Sequence, residues 1–88
     1  MRPFQVDSEH IKLRFQEGVI PEVGVNGASI EDVIAVLHSR LAGFEAGPLA
    51  CLENRAAMLS LDQAANWLAE RRKARIRQGV EGTYEPHR

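Results

Sequence analysis

Between Asn54 and Arg77 the chain sets Met58, Leu61, Ala65 and Leu68 at the i, i+3, i+7, i+10 spacing of a helical stripe, in a run without proline or glycine. A second set, Ala57, Ser60, Ala64 and Trp67, lies beside the first and widens the apolar surface beyond what one partner helix covers. Two partners are therefore expected, and the chain offers one. Upstream, Ile30, Val33, Ile34, Leu37, Leu41 and Phe44 repeat at heptad-like spacing. That helix has its own start signals: a turn at Asn26-Gly27, Ser29 as N-cap, Asp32 three residues on as a capping-box partner, and Glu31 in the first turn. Gly47-Pro48 ends it, because the residue before a proline is pushed out of the α region, and the proline suits the first turn of a new helix. The pattern predicts a helical hairpin over 29–78, with arms of about Ser29–Glu45 and Pro48–Gln78 and Gly79 as the residue closing the second.

From His10 the period changes to two. Ile11, Leu13 and Phe15 alternate with Lys12, Arg14 and Gln16, the signature of a half-buried strand. Glu17-Gly18 offers a turn, and Val19-Ile20 with Val23–Val25 reads as a return strand interrupted by Pro21, which cannot donate to a ladder. The expectation is a small β-hairpin over 11–28, leaning on the helices or on another subunit because two strands alone are marginal in water. Residues 1–10, with Pro3 and no period, read as a loose arm. Residues 79–88, with Gly79, Gly82, Pro86 and a lone Tyr84, read as an exposed tail. The predicted fold is mainly α: one small domain, an antiparallel helical hairpin with a small N-terminal β-hairpin, assembling as an oligomer.

Composition changes this picture in two places. At 88 residues a chain buries only about two thirds of its unfolded surface, so a core shared between subunits would help it. The net charge of −1 hides a segregation: residues 1–68 carry nine acids and five bases, and residues 69–88 carry three acids and six bases. Arg71, Arg72, Lys73, Arg75 and Arg77 put five cations into seven residues at the end of the second helix, a local attraction for an anion. The single Cys51, flanked by Leu49, Ala50 and Leu52, reads as a buried thiol and fits a reducing cytoplasm. No Cys/His spacing suits zinc, so no metal is expected. No apolar run approaches the roughly 20 residues of a membrane helix, so no membrane partner is expected and the predicted location is cytoplasmic.

Candidate chemistry is sparse. His10, His38 and His87 fall in a strand start, a helix and a tail, with no base, nucleophile and partner drawn together, so neither an enzyme nor a cofactor is expected. The basic helix end reads either as a solvated terminus or as a phosphate contact through Arg71, Arg72 and Arg75, whose planar forks suit phosphate oxygens. Glu53, Asn54, Gln63 and Asn66 are polar candidates along the same helix, and Tyr84 is a candidate for stacking on a base. Nucleic acid is disfavoured as a partner. The chain is near neutral, and its aromatics are limited to Phe4, Phe15, Phe44, Trp67 and Tyr84.

Glu53 followed by an Ala/Leu-rich stretch, then Leu61, Ala64 and Trp67 as L-x-x-A-x-x-W, then Arg71, Arg72 and Arg75, then Gly79–Thr83 as G-V-E-G-T, resembles the helical-hairpin domain of small phage proteins. That family includes the anti-CBASS and anti-Thoeris cyclic-nucleotide sponges. The resemblance covers about residues 29–84, and FQEGVIPEVGVNG resembles the lead-in of some members. It implies a phage immune-evasion protein that sequesters a cyclic di- or trinucleotide, or a cyclic ADP-ribose-type ligand, without cleaving it, in the host cytoplasm, as a dimer or hexamer. Many members carry Arg before the Glu and Thr-Lys before the L-x-x-A segment, where this chain has Leu52 and Leu59-Ser60. Those departures put the pocket's ligand, or the pocket itself, in question. The alternative is a nucleic-acid- or protein-binding phage accessory factor using the same arginines.

Overall fold

The computed structural model describes residues 4–88; positions 1–3 of the expected arm lie outside the described residues. The order is two short strands, β1 (Gln5–Asp7) and β2 (Lys12–Arg14), a single helical turn α1 (Ile20–Val23), and two long helices, α2 (Ile30–Glu45) and α3 (Leu52–Arg77). The protein is mainly helical with a small antiparallel sheet at its N-terminal end, as the periodicities predict.

The β-hairpin is not where alternation alone puts it. β2 lies within the expected strand, but its partner is upstream: Gln5, Val6 and Asp7 pair with Arg14, Leu13 and Lys12. Ser8 N–H donates to the Ile11 carbonyl at 2.8 Å, and Lys12 Nζ meets Asp7 Oδ1 at 3.2 Å. Part of the expected loose arm is thus a strand. The expected return strand is instead the turn α1, because Pro21 fixes φ at a helical value in the first turn, where a missing N–H is harmless. Gly24, at φ 72°, stops it. The chain then passes β2 in parallel at Ala28, whose N–H donates to the Arg14 carbonyl at 2.8 Å. Gly27 makes that approach possible, since a Cβ there would stand 2.5 Å from the Phe15 backbone.

The start of α2 matches its signals. Ser29 Oγ accepts from Asp32 N–H at 3.0 Å and Asp32 Oδ2 accepts from Ser29 N–H at 2.9 Å, a complete capping box. α3 begins at Leu52, four residues after Pro48, because Gly47–Leu49 belong to the turn joining the helices. Cys51 is its N-cap, half-buried and without a side-chain cap bond. The preceding helix supplies one: Glu45 Oε1 accepts from Cys51 N–H at 3.0 Å and Oε2 accepts from Arg55 Nη1 at 3.0 Å. These bonds, the Cys51 amide first, hold the Glu45 carboxyl below the usual glutamate range, against the opposing effect of burial.

Glu45–Arg55 and His38–Asp62, the latter 3.2 Å apart, run the helices antiparallel. Between them lie Val33, Ile34, Leu41 and Phe44 of α2 and Met58, Leu61, Ala65 and Leu68 of α3, all half-buried. One helix covers only part of its neighbour's girth, so Ile30 and Leu37, though on the predicted stripe, stay at least half exposed. The accessible surface is 6964 Å², whereas a compact monomer of 9.8 kDa exposes about 5,200 Å². The radius of gyration is 16.0 Å, against about 12 Å for a compact domain of this length.

Candidate functional site

The last two turns of α3 carry the basic cluster, and its cations fall into two kinds. Arg71 and Arg72 are exposed and, among the described residues, neither is ion-paired. Lys73 is tied to Glu70 at 3.1 Å. Arg75 is 7% exposed, and its Nη2 donates to the carbonyls of Val80 and Glu85 at 3.0 Å and of Thr83 at 3.3 Å. Its Nε lies 3.6 Å from Glu81 Oε2. The burial of this guanidinium is offset by carbonyls on one side and a carboxylate on the other.

The tail beyond it, most of whose residues are exposed, is held in a closed loop. Gly79 takes φ 73°, its N–H donates to Ile76, and Val80 N–H donates back to Arg75, both at 3.0 Å: a Schellman close. Val80 is 4% exposed and its carbonyl also accepts from the Thr83 N–H and hydroxyl. Gln78 closes the loop by pairing its side-chain amide with the backbone of Arg88, Oε1 accepting at 2.8 Å and Nε2 donating at 3.1 Å. The loop rests on the turn at α1. Tyr84 Oη accepts from Val19 N–H at 3.3 Å, and a Cβ at Gly82 would touch the Pro21 ring at 3.2 Å. FQEGVIPEVGVNG and GVEGTY, far apart in sequence, thereby meet in space.

The remaining candidates are spread along α3. Glu53 is exposed in the first turn, about 27 Å along the axis from Arg71. Asn54 is half-buried and donates from Nδ2 to the Leu49 carbonyl at 3.1 Å, bracing the interhelix turn. Gln63 and Asn66 are exposed. Tyr84 keeps 71% of its surface despite its hydroxyl contact. One protomer therefore brings Arg71 and Arg72 together and leaves Glu53 and Asn54 remote from them.

Trp67, of the second apolar set for which a further partner is expected, is 74% exposed within the protomer, with Gln63 one turn before it and Arg71 one turn after. Ala57, Ser60 and Ala64, the other members of the second apolar set, are exposed as well. Beside them Leu37, Arg40, Leu41 and Leu61 line, with Ala57 and Ser60, an open groove of about 470 Å³. A second groove, of about 360 Å³, has Leu68, Ala69 and Ile76 with Arg72 and Lys73 from α3, and Glu31 across it. Such a mixture can take a ligand with an apolar face and a negative group, and of its two cations Arg72 is the one that has no ion pair among the described residues. Among the described residues no His, Cys, Asp and Glu side chains gather as a metal site, and no helix is long and apolar enough to cross a membrane.

No family profile matches the chain. Over 73 residues, 83% of its length, it is 41% identical to the protein named Thoeris anti-defense 1 from Bacillus phage SBSphiJ7. The matched region is 51% of that protein, so the chain spans about half the length of the relative.

Proposed function

We propose, from the premise that this chain belongs to the phage anti-Thoeris family, that it serves phage evasion of Thoeris defence by holding a cyclic ADP-ribose-type nucleotide without cleaving it. The observation that carries the reading is the pair of exposed guanidiniums Arg71 and Arg72, which among the described residues have no ion-pair partner, with the exposed amide of Gln63 two turns before Arg71 and the exposed ring of Tyr84 in the tail beyond. A base or ribose can lie on the Tyr84 ring while a guanidinium meets a pyrophosphate. Cyclic di- and trinucleotides carry the same groups and belong to the same reading.

The protein works as a homo-oligomer, a dimer or a hexamer built from dimers. Each protomer exposes roughly 1,800 Å² more than a compact monomer would, about 3,600 Å² for two copies, which is the scale an obligate homodimer interface buries. A second copy covers the groove at Leu37, Leu41 and Leu61 and the face at Ala57 and Trp67. Assembly would also bring Glu53 and Asn54 of one copy towards the arginines of another, which one protomer keeps apart.

Calorimetric titration with cyclic ADP-ribose isomers and cyclic oligonucleotides tests the reading, followed by heat release of the bound ligand and mass analysis. Sequestration requires tight binding and an unaltered ligand. A ligand recovered cleaved, or no heat with any of them, removes it.

A further inference from the structure

We infer that Arg75 is a positioning residue, whose guanidinium seats the closed tail loop on the turn at residues 18–23 and so sets where Tyr84 stands, and is not one of the cations that meet a ligand. The tail has little else to order it. It contains two glycines at positive φ, and Val80 is its one buried apolar side chain; fixing such a segment costs much conformational entropy. Against that cost stand the carbonyls of Val80, Thr83 and Glu85, which converge on one nitrogen of Arg75, and Glu81 at its Nε. Because that nitrogen has only two protons for three carbonyls, the loop must curl tightly around it. The curl carries Tyr84 Oη to the Val19 amide and Gly82 to Pro21. Two ends of the chain separated by the whole helical hairpin are thus fastened through one side chain whose hydrogen bonds and ion pair, among the described residues, are all with the tail. A lysine ends one bond short of Nη2 and has a single nitrogen, so it cannot meet the converging carbonyls and Glu81 together.

The test is amide hydrogen exchange by NMR on the intact chain and its variants Arg75→Ala, Arg75→Lys, Tyr84→Phe and the double variant Arg75→Ala/Tyr84→Phe. Both Arg75 variants should speed exchange at Val19, Thr83 and Arg88 by about tenfold or more, while Leu41 and Leu61 in the hairpin stay within about twofold. Tyr84→Phe should speed Val19 alone, and adding Arg75→Ala to it should change Val19 by less than about twofold, since the coupling runs through the tyrosine. Unchanged Val19 exchange in Arg75→Ala, or an equal rise at Leu61, overturns the inference. A second arm, which rests on the sequestration reading, titrates cyclic ADP-ribose: Arg75→Lys should bind as poorly as Arg75→Ala, about tenfold below the parent. Parent-like affinity in Arg75→Lys means the charge alone matters and overturns the inference. If the parent itself does not bind cyclic ADP-ribose, the sequestration reading fails and Val19 exchange alone decides the clasp.

Discussion

In the helical hairpin apolar side chains are plentiful and half-covered; in the clasp at the end of α3 they are scarce, yet Val80 is buried there. The hairpin is joined by a facing stripe and two side-chain pairs, Glu45–Arg55 and His38–Asp62. The clasp is joined by hydrogen bonds to backbone carbonyls, gathered by a buried arginine. Burial in this protomer does not follow hydrophobicity. The clasp is satisfied within the chain, whereas the hairpin keeps a large apolar surface available for something outside it.

The sharpest way to break the contrast is Trp67→Asp. If a second copy covers the hairpin, a charge at this exposed indole should cost about 2–4 kcal/mol of association, the range of interface hot spots, and light scattering should show a shift to monomer. Clasp amides such as Thr83 should keep their exchange rates. A parent that is already monomeric at micromolar concentration would show that the hairpin face has no self-partner.

Arg71→Ala and Arg72→Ala come next. Each should leave the helical circular dichroism unchanged and weaken ligand affinity by about ten- to hundredfold, the value of a hydrogen bond to a charged group. Affinities within about twofold of the parent for both would make the basic end a solvated terminus. Gly79→Ala strikes the clasp instead. A side chain at φ 73° costs about 1 kcal/mol, and the loss should appear as faster exchange at Val80, with the hairpin untouched.

The smallest effect is Glu45→Gln. The folded carboxyl titrates below the ordinary glutamate value of about 4.3, so its contribution is present above that value and is lost as pH falls towards the folded one. Urea melts at pH 6 and pH 3.5 should therefore show a smaller loss on acidification in Glu45→Gln than in the parent. An identical loss would mean that the clip to Cys51 and Arg55 contributes nothing.

Reading the chain alone located what is encoded within a few residues. Ser29, Asp32 and the α2 stripe are local signals, and the structure places them where the spacing does. β2 was legible as alternation, but its partner was not, because alternation carries no direction and Pro21 supports an edge strand as readily as a helical first turn. The closed loop of the tail was not legible, because composition weighs its glycines and proline and cannot see a donor arriving from α3. One signal was present: with Gly79 closing the helix, the Schellman geometry brings Val80 back over Arg75, and that juxtaposition marks Arg75 as different from Arg71 and Arg72. The stripe at Ala57 and Trp67 could be seen as surplus apolar girth, but no periodicity says what covers it.

The borrowed cap of α3 bears on the order in which the chain takes shape. α2 carries its own start signal in Ser29 and Asp32, so it can form before anything downstream exists. α3 has no side-chain cap of its own at Cys51, and the carboxylate that receives its first amide belongs to the last turn of α2. The longer helix is thus primed by the finished end of the shorter one, and a chain emerging from the ribosome would close its hairpin from the turn outward, with the tail the last piece to be fastened.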